Sequence, residues 1–400
     1  METRQLTPLL QSARAFEPEL IEIRRDLHRH PELAFQEVRT AAIVARKLEE
    51  LGLSVQTGVG KTGVVAELNN GTGPTVALRA DMDALPITEA NDVPYRSTRP
   101  GIMHACGHDA HVSMLLGAAR LLTDLHRHDE LPQGTVRFLF QPAEETTDDE
   151  NLSGAARMVA DGAMKGVDAV FGLHIGAHLE SGKLFTRPGP IMAGADTFHA
   201  HILGKSSHAA RPHEGIDAIV LASHAILACQ SAVARRLDPA SQGVLSIGKI
   251  QGGVAENVVA DRVTLAGTMR YFDPAVRETL HTELRRAFEI VRTLGGEAKL
   301  DLTYGYPPVV NDDAMTAILT AAGEEVLGAD QVRVFEPMMA AEDFSILLHE
   351  APGSFAWLGA ALARPREHHH PEFDIDESAL IRGASTLAAA ALRALREIRS

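Results

Sequence analysis

Residues 197–204 read TFHAHILG. Apolar and polar side chains alternate there, the period-two pattern of a half-buried strand. What precedes it follows a different style. Residues 14–53 read as helices: Leu20, Ile23 and Leu27 recur at helical spacing, and AAIVARKLEELG ends in Gly52, a good C-cap. Strand-like runs follow at 63–68 (GVVAEL) and 75–81 (TVALRAD). Then come a helix over 111–125, a strand at 135–141 (TVRFLFQ), a helix around 154–164 and a strand at 168–175 (DAVFGLHI). Strands alternating with helices indicate a mostly parallel α/β sheet. After TFHAHILG the order is a helix over 215–237, strands at 243–250 and 262–270, a helix from Pro274 to about Leu294, and a strand over 297–306. That is β-α-β-β-α-β, the ferredoxin-like arrangement. The α/β style then resumes, with a helix near 313–327, a strand at 354–358 and a final helix from about 377. The reading is one α/β domain, residues 1–187 and 305–400, interrupted by an inserted ferredoxin-like α+β domain, residues 188–304.

The composition fits this. The chain has 400 residues, 45% apolar and 23% charged, enough for a large core and two or three domains. Its net charge is −15, with no dense Lys/Arg run. That argues against nucleic acid or an anionic membrane as partner. The start has no apolar signal region, and no stretch reaches the ~18–20 uninterrupted apolar residues of a membrane span. Two cysteines, Cys106 and Cys229, make no disulfide framework. A cytoplasmic location is the default expectation, and Cys106 is then a thiol or a ligand rather than half of a bridge.

The reactive residue types converge on one edge. TVALRAD runs into Asp81 and Asp83. TVRFLFQ runs into Glu144 and Glu145, and DAVFGLHI carries His174 near its end. The stretch HACGHDAH (104–111) lies just before a helix, and GSFAWLG is followed by His368, His369 and His370. The C-terminal ends of parallel strands share one edge, where α/β enzymes place their sites. His and carboxylate ligands suit Zn²⁺, Mn²⁺, Co²⁺ or Ni²⁺, and a thiolate favours the softer of these. Cys106 and His108, two apart, can point together only from a loop or extended segment. Adjacent Glu144 and Glu145 must diverge, so one can bind metal while the other holds a water.

Plainer readings exist for each residue. EETTDDEN could be a solvated acidic loop and HHH polar surface. His28, His30, His126 and His128 read as surface or structural. The joint placement on one edge is what selects the set. Two motifs mislead. GVGKTG (58–63) matches G-x-G-x-x-G at Gly58, Gly60 and Gly63, but a strand follows where a dinucleotide site needs a helix. A Walker loop would need Gly where Val55 stands. A glycine-rich turn between two strands explains it. There is no G-x-S-x-G serine-hydrolase elbow.

RADMDALPI, HACGHDAH, QPAEE, GLHI and HHHPEFDID, in this order and at these distances, resemble the peptidase M20 family. The nearest likeness is its amidohydrolase branch of hippurate hydrolases, N-acyl-amino-acid deacylases and auxin-conjugate hydrolases. The resemblance covers nearly the whole chain. It implies a two-metal catalytic domain and an inserted lid that also makes a homodimer. By motif it implies metal ligands Cys106, His108, Glu145, His174 and His369, with His368 and His370 as alternatives to the last. Glu144 would be the general base, and Asp83 would orient a ligand or tune that base. In the lid, GKSSHAARPHEGIDAI offers His208 to stabilise the oxyanion, across the dimer. GGVAENVVAD offers Asn257 and GTMRYFD offers Arg270, both to hold a substrate carboxylate. The implied cofactors are two divalent ions per subunit, Mn²⁺ or Zn²⁺ first, Co²⁺ or Ni²⁺ next. The implied substrates are N-acyl amino acids, with dipeptides as the rival. A homologue that binds but does not catalyse, or a structural metal site, are the readings from other classes. The segments TTDDENLS, IGAHLESGKL and KSSHAA depart from the family pattern and bear on substrate preference.

Overall fold

The computed structural model describes residues 8–398. Its strands run in chain order β1 (Ser54–Val59), β2 (Gly63–Asn70), β3 (Thr75–Asp81), β4 (Gly134–Gln141), β5 (Ala169–Gly176), β6 (Leu184–Thr186), β7 (Gly189–Met192), β8 (Gly194–Leu203), β9 (Gly243–Gly252), β10 (Arg262–Tyr271), β11 (Glu297–Tyr304), β12 (Val309–Asn311), β13 (Val332–Val334) and β14 (Gly353–Gly359). The chain divides into two compact units. The first takes the chain up to Ile191, Val310–Glu336, and everything from Asp343; the second is Met192–Val309 with Pro337–Glu342.

The first unit holds an eight-stranded sheet in the order β1-β2-β4-β3-β5-β14-β6-β13. Its centre, β4-β3-β5-β14, is parallel throughout. The mixed α/β class with a mostly parallel central sheet is therefore as the sequence pattern leads one to expect. β5 and β14 are buried along their whole length, as befits strands covered on both faces. The helices His108–Arg127 and Ala379–Glu397 pack on each other and on this sheet. Ala388 to Ala391 present only methyl groups, so helix and neighbour approach closely.

The second unit is a four-stranded antiparallel sheet, order β11-β8-β10-β9. Its helices Ala218–Arg236 and Pro274–Thr293 share one core with Phe198, Ala200 and Ile202 of β8. That is the ferredoxin-like order. Asp217 caps the first helix through the Ile219 and Val220 amides. Helix Ala218–Arg236 is long and apolar enough to cross a membrane by length and composition. In this fold Ala218, Leu221, Ala222, Ala225, Cys229 and Ala232 form its buried stripe.

Two local readings change. The helix expected over 111–125 starts at His108. Its N-cap, Gly107, stands at φ 93, where a Cβ would meet Ile175 Cγ2 at 2.3 Å. This left-handed glycine turns the chain sharply, so Cys106 and His108 face one point although His108 is already helical. HACGHDAH also does not follow a strand directly, because residues 82–107 form a long connection from β3. Of the two readings given for His28, surface or structural, the structure shows the second: it is buried and bonds Asp109 at 2.8 Å.

Candidate metal centre and its glutamate

Cys106, His108 and His174 bring their ligand atoms within 4.8 Å of one another, and so do Cys106, Glu145 and His369. A further set, His108, Glu144 and Glu145, meets the same limit. The thiol thus belongs to two adjoining groups. Cys106 Sγ lies 3.5 Å from His174 Nε2, and His369 Nε2 lies 3.0 Å from Glu145 Oε1.

Hydrogen bonds behind these side chains fix their aim. Asp83 accepts from His108 Nδ1 at 3.2 Å, which leaves Nε2 turned inward. That Nε2 is buried and has no hydrogen-bond partner among the described residues. His174 donates from Nδ1 to the Ile175 carbonyl at 2.8 Å, so its Nε2 carries the lone pair and faces Cys106. Asp83 also accepts the amides of Glu144 and Glu145, each at 3.1 Å. One carboxylate therefore sets both the histidine and the glutamate pair. Asp81 is spent differently: it binds Arg79 at 2.7 Å and His111 Nδ1 at 2.5 Å. His111 Nε2 in turn accepts the Ile175 amide.

The electrostatics ask for a cation. Burial, then the Glu145 and Glu144 carboxylates, push the Cys106 thiol well up. Burial works against charge on His108, yet Asp81 and Asp83 outweigh it and push it up to about 10. Burial, with His111 and His368 beside it, keeps His174 neutral, as a ligand must be. A buried thiol, an orphaned imidazole nitrogen and several carboxylates fit a divalent ion far better than they fit one another.

Among the three histidines after β14, His368 Nε2 accepts the Ala177 amide and His370 Nδ1 accepts the Glu372 amide. His369 stands at φ 57, and this left-handed turn aims it at Glu145. His208, Asn257 and Arg270 belong to the second unit. His208 and Asn257 are exposed neighbours, joined through the Ala209 amide and the Asn257 carbonyl at 3.0 Å. Arg270 donates to the Thr268 hydroxyl and the Met269 carbonyl.

Sequence reasoning missed Glu37. It is fully buried and accepts the Ala143 amide at 2.9 Å and the Thr62 hydroxyl at 2.5 Å. FQEVRT, where it sits, carries no local signal of this. Burial, opposed by the Thr62 hydroxyl and helped by Asp83, pushes Glu37 up to about 7. A raised carboxyl favours the fold when protonated. That contribution is complete below the ordinary 4.5 and is lost as pH rises through about 7. At ~1.4 kcal/mol per unit it is at most about 3 kcal/mol. Glu37→Gln should therefore gain on the wild type in thermal melts as pH rises from about 5 to 8. A difference that stays constant with pH would mean Glu37 titrates normally.

This fold and this site define a metal-binding amide-bond hydrolase. The chain belongs to Peptidase family M20/M25/M40, which it matches over residues 77–393. It is 41% identical over 386 residues to the N-acetyl-L-cysteine deacetylase of Bacillus subtilis, covering 95% of this chain and 89% of that one. It is 39% identical over 396 residues to IAA-amino acid hydrolase ILR1-like 4 of Arabidopsis thaliana, covering 95% and 87%. The solved Bacillus subtilis YXEP protein, described as a dinuclear metal-binding M20 peptidase, superposes with a TM-score of 0.83 at 37% identity. That match covers 96% of this chain and 100% of the other.

Proposed function

We propose that the protein hydrolyses the amide bond of N-acyl-L-amino acids, with Glu144 as general base. The observation that carries this is the constellation of buried Cys106, His108 and His174 with half-buried Glu145 and exposed His369, and Glu144 beside it. The likeness to an N-acetyl-L-cysteine deacetylase and an IAA-amino acid hydrolase supports the acyl-amino-acid class.

In this reading Cys106, His108, His174, Glu145 and His369 hold two divalent ions, Mn²⁺ or Zn²⁺ ahead of Co²⁺ or Ni²⁺. Such ions supply Lewis acidity, lowering the pKa of a water towards neutrality and polarising the amide carbonyl. Glu144, 7% exposed, takes the proton of the attacking water and hands it to the leaving nitrogen. Asp83 keeps His108 in the tautomer that points Nε2 inward and holds the backbone of Glu144. His208 steadies the negative carbonyl oxygen, while Asn257 and Arg270 read the free carboxylate of the amino-acid half. The second unit serves as the lid and, through its exposed Ile219, Val220, Leu227, Ile250 and Val254, as a homodimer face.

The test is amine release from N-acetyl amino acids, N-benzoyl amino acids and dipeptides. It is run before chelation, after it, and after each of Mn²⁺, Zn²⁺, Co²⁺ and Ni²⁺ is returned. Activity on acyl amino acids that vanishes and is restored by one ion is the expected result. Faster turnover of dipeptides would overturn the substrate class. A folded, metal-loaded protein inert on all of them would overturn the reading of the site.

A further inference from the structure

The hexapeptide GVGKTG (58–63) is the turn of the β1–β2 hairpin. Its residues grip the segment that carries the glutamate pair. A Cβ on Gly63 would stand 2.9 Å from Pro142 Cδ, and one on Gly60 2.8 Å from Met158 Cγ. Only glycine allows that approach. The Gly60 amide donates to Asp161 at 2.7 Å, and Lys61 Nζ meets Asp148 at 2.5 Å. Thr62 donates to one oxygen of Glu37, and the other oxygen accepts the Ala143 amide.

Ala143 is a non-glycine residue at φ 46, immediately before Glu144. A left-handed alanine persists only where its surroundings hold it. Three successive amides hold this one. Ala143 donates to Glu37, and Glu144 and Glu145 donate to Asp83. Two buried carboxylates, reached from different parts of the chain, clamp one turn.

We propose that Glu37 and Thr62 are positioning residues that aim the Glu144 carboxylate, and that the glycine-rich hairpin turn is the buttress of the catalytic base. Their role rests on the reading of Glu144 as that base. Misplacing a catalytic group by about 1 Å can cost 10²-fold in rate while binding is kept.

The experiment compares Glu37→Ala, Glu37→Gln, Thr62→Val and Glu144→Gln with N-benzoylglycine, or with whichever substrate of the panel turns over fastest. Metal per subunit and thermal midpoint are measured on the same samples. Glu37→Ala should lose about tenfold or more in kcat, with KM within about threefold and metal content unchanged. Glu37→Gln should recover at least roughly a third of wild-type kcat, since its amide can accept from Ala143 and donate to Thr62. Thr62→Val should lose about threefold or more in kcat at unchanged KM. Two results overturn the assignment. One is Glu37→Ala or Thr62→Val turning over at the wild-type rate while Glu144→Gln is inactive. The other is a kcat loss that merely tracks metal content and is not rescued by Glu37→Gln. Should Glu37→Ala fail to fold, Thr62→Val decides alone. An active Glu144→Gln would instead remove the base itself, and this role with it.

Discussion

Glu144→Gln should keep its metal and lose about 10²–10⁴-fold in kcat, the usual effect of removing a proton-transfer group. Glutamine matches glutamate in shape, and the position of residue 144 is fixed from behind, through its backbone amide on Asp83. What the variant loses is the capacity to accept and return a proton. Glu145→Gln should behave differently. Glu145 shares one group with Cys106 and His369, so neutralising it should lower bound metal as well as rate. Metal analysis beside kcat separates the two glutamates. Turnover within about threefold of the wild type in Glu144→Gln would remove it from the role of base.

Cys106→Ala should show the second large effect. The thiol is common to the His108–His174 group and to the Glu145–His369 group, so its loss thins both at once. Metal per subunit should fall by at least one ion, and kcat with it, by about 10²-fold or more. Stability gives an independent readout. A metal bound to the folded chain alone stabilises it by about 2.7 kcal/mol at 100 times its Kd. Wild-type protein should therefore melt higher with Mn²⁺ or Zn²⁺ than after chelation, and Cys106→Ala should lose most of that increment. A variant that retains both ions and the full increment would show that the thiol is not a ligand.

The order of strands and helices was legible because it is written locally. TFHAHILG became β8 with Phe198, Ala200 and Ile202 inward, as its alternation requires. GVGKTG was legible as a turn between strands, since a run of strand residues follows it. Other features were not legible. β6, β7, β12 and β13 drew no strand reading, because their short stretches carry neither a long apolar run nor a clean alternation. The His108 start of its helix was missed because the turn at Gly107 is stabilised by a close approach to Ile175 from β5, a contact no window of neighbouring residues contains. That Pro337–Glu342 groups with the second unit has no mark in the sequence at all.

By itself the sequence determined which residue types stand at the ends of which strands. Side-chain periodicity and turn chemistry depend on neighbours two to four residues away, and those are always in view. Only the tertiary structure decided which atoms meet. It turned His369 toward Glu145 while His368 and His370 accept backbone amides, assigned Asp81 to Arg79 and His111, and made one Asp83 hold both His108 and the glutamate pair. It also brought Glu37 and Thr62 to Ala143. The physical reason is the same in each case. A buried polar atom takes its direction from the partner that satisfies it, and that partner comes from whatever part of the chain the fold has placed there.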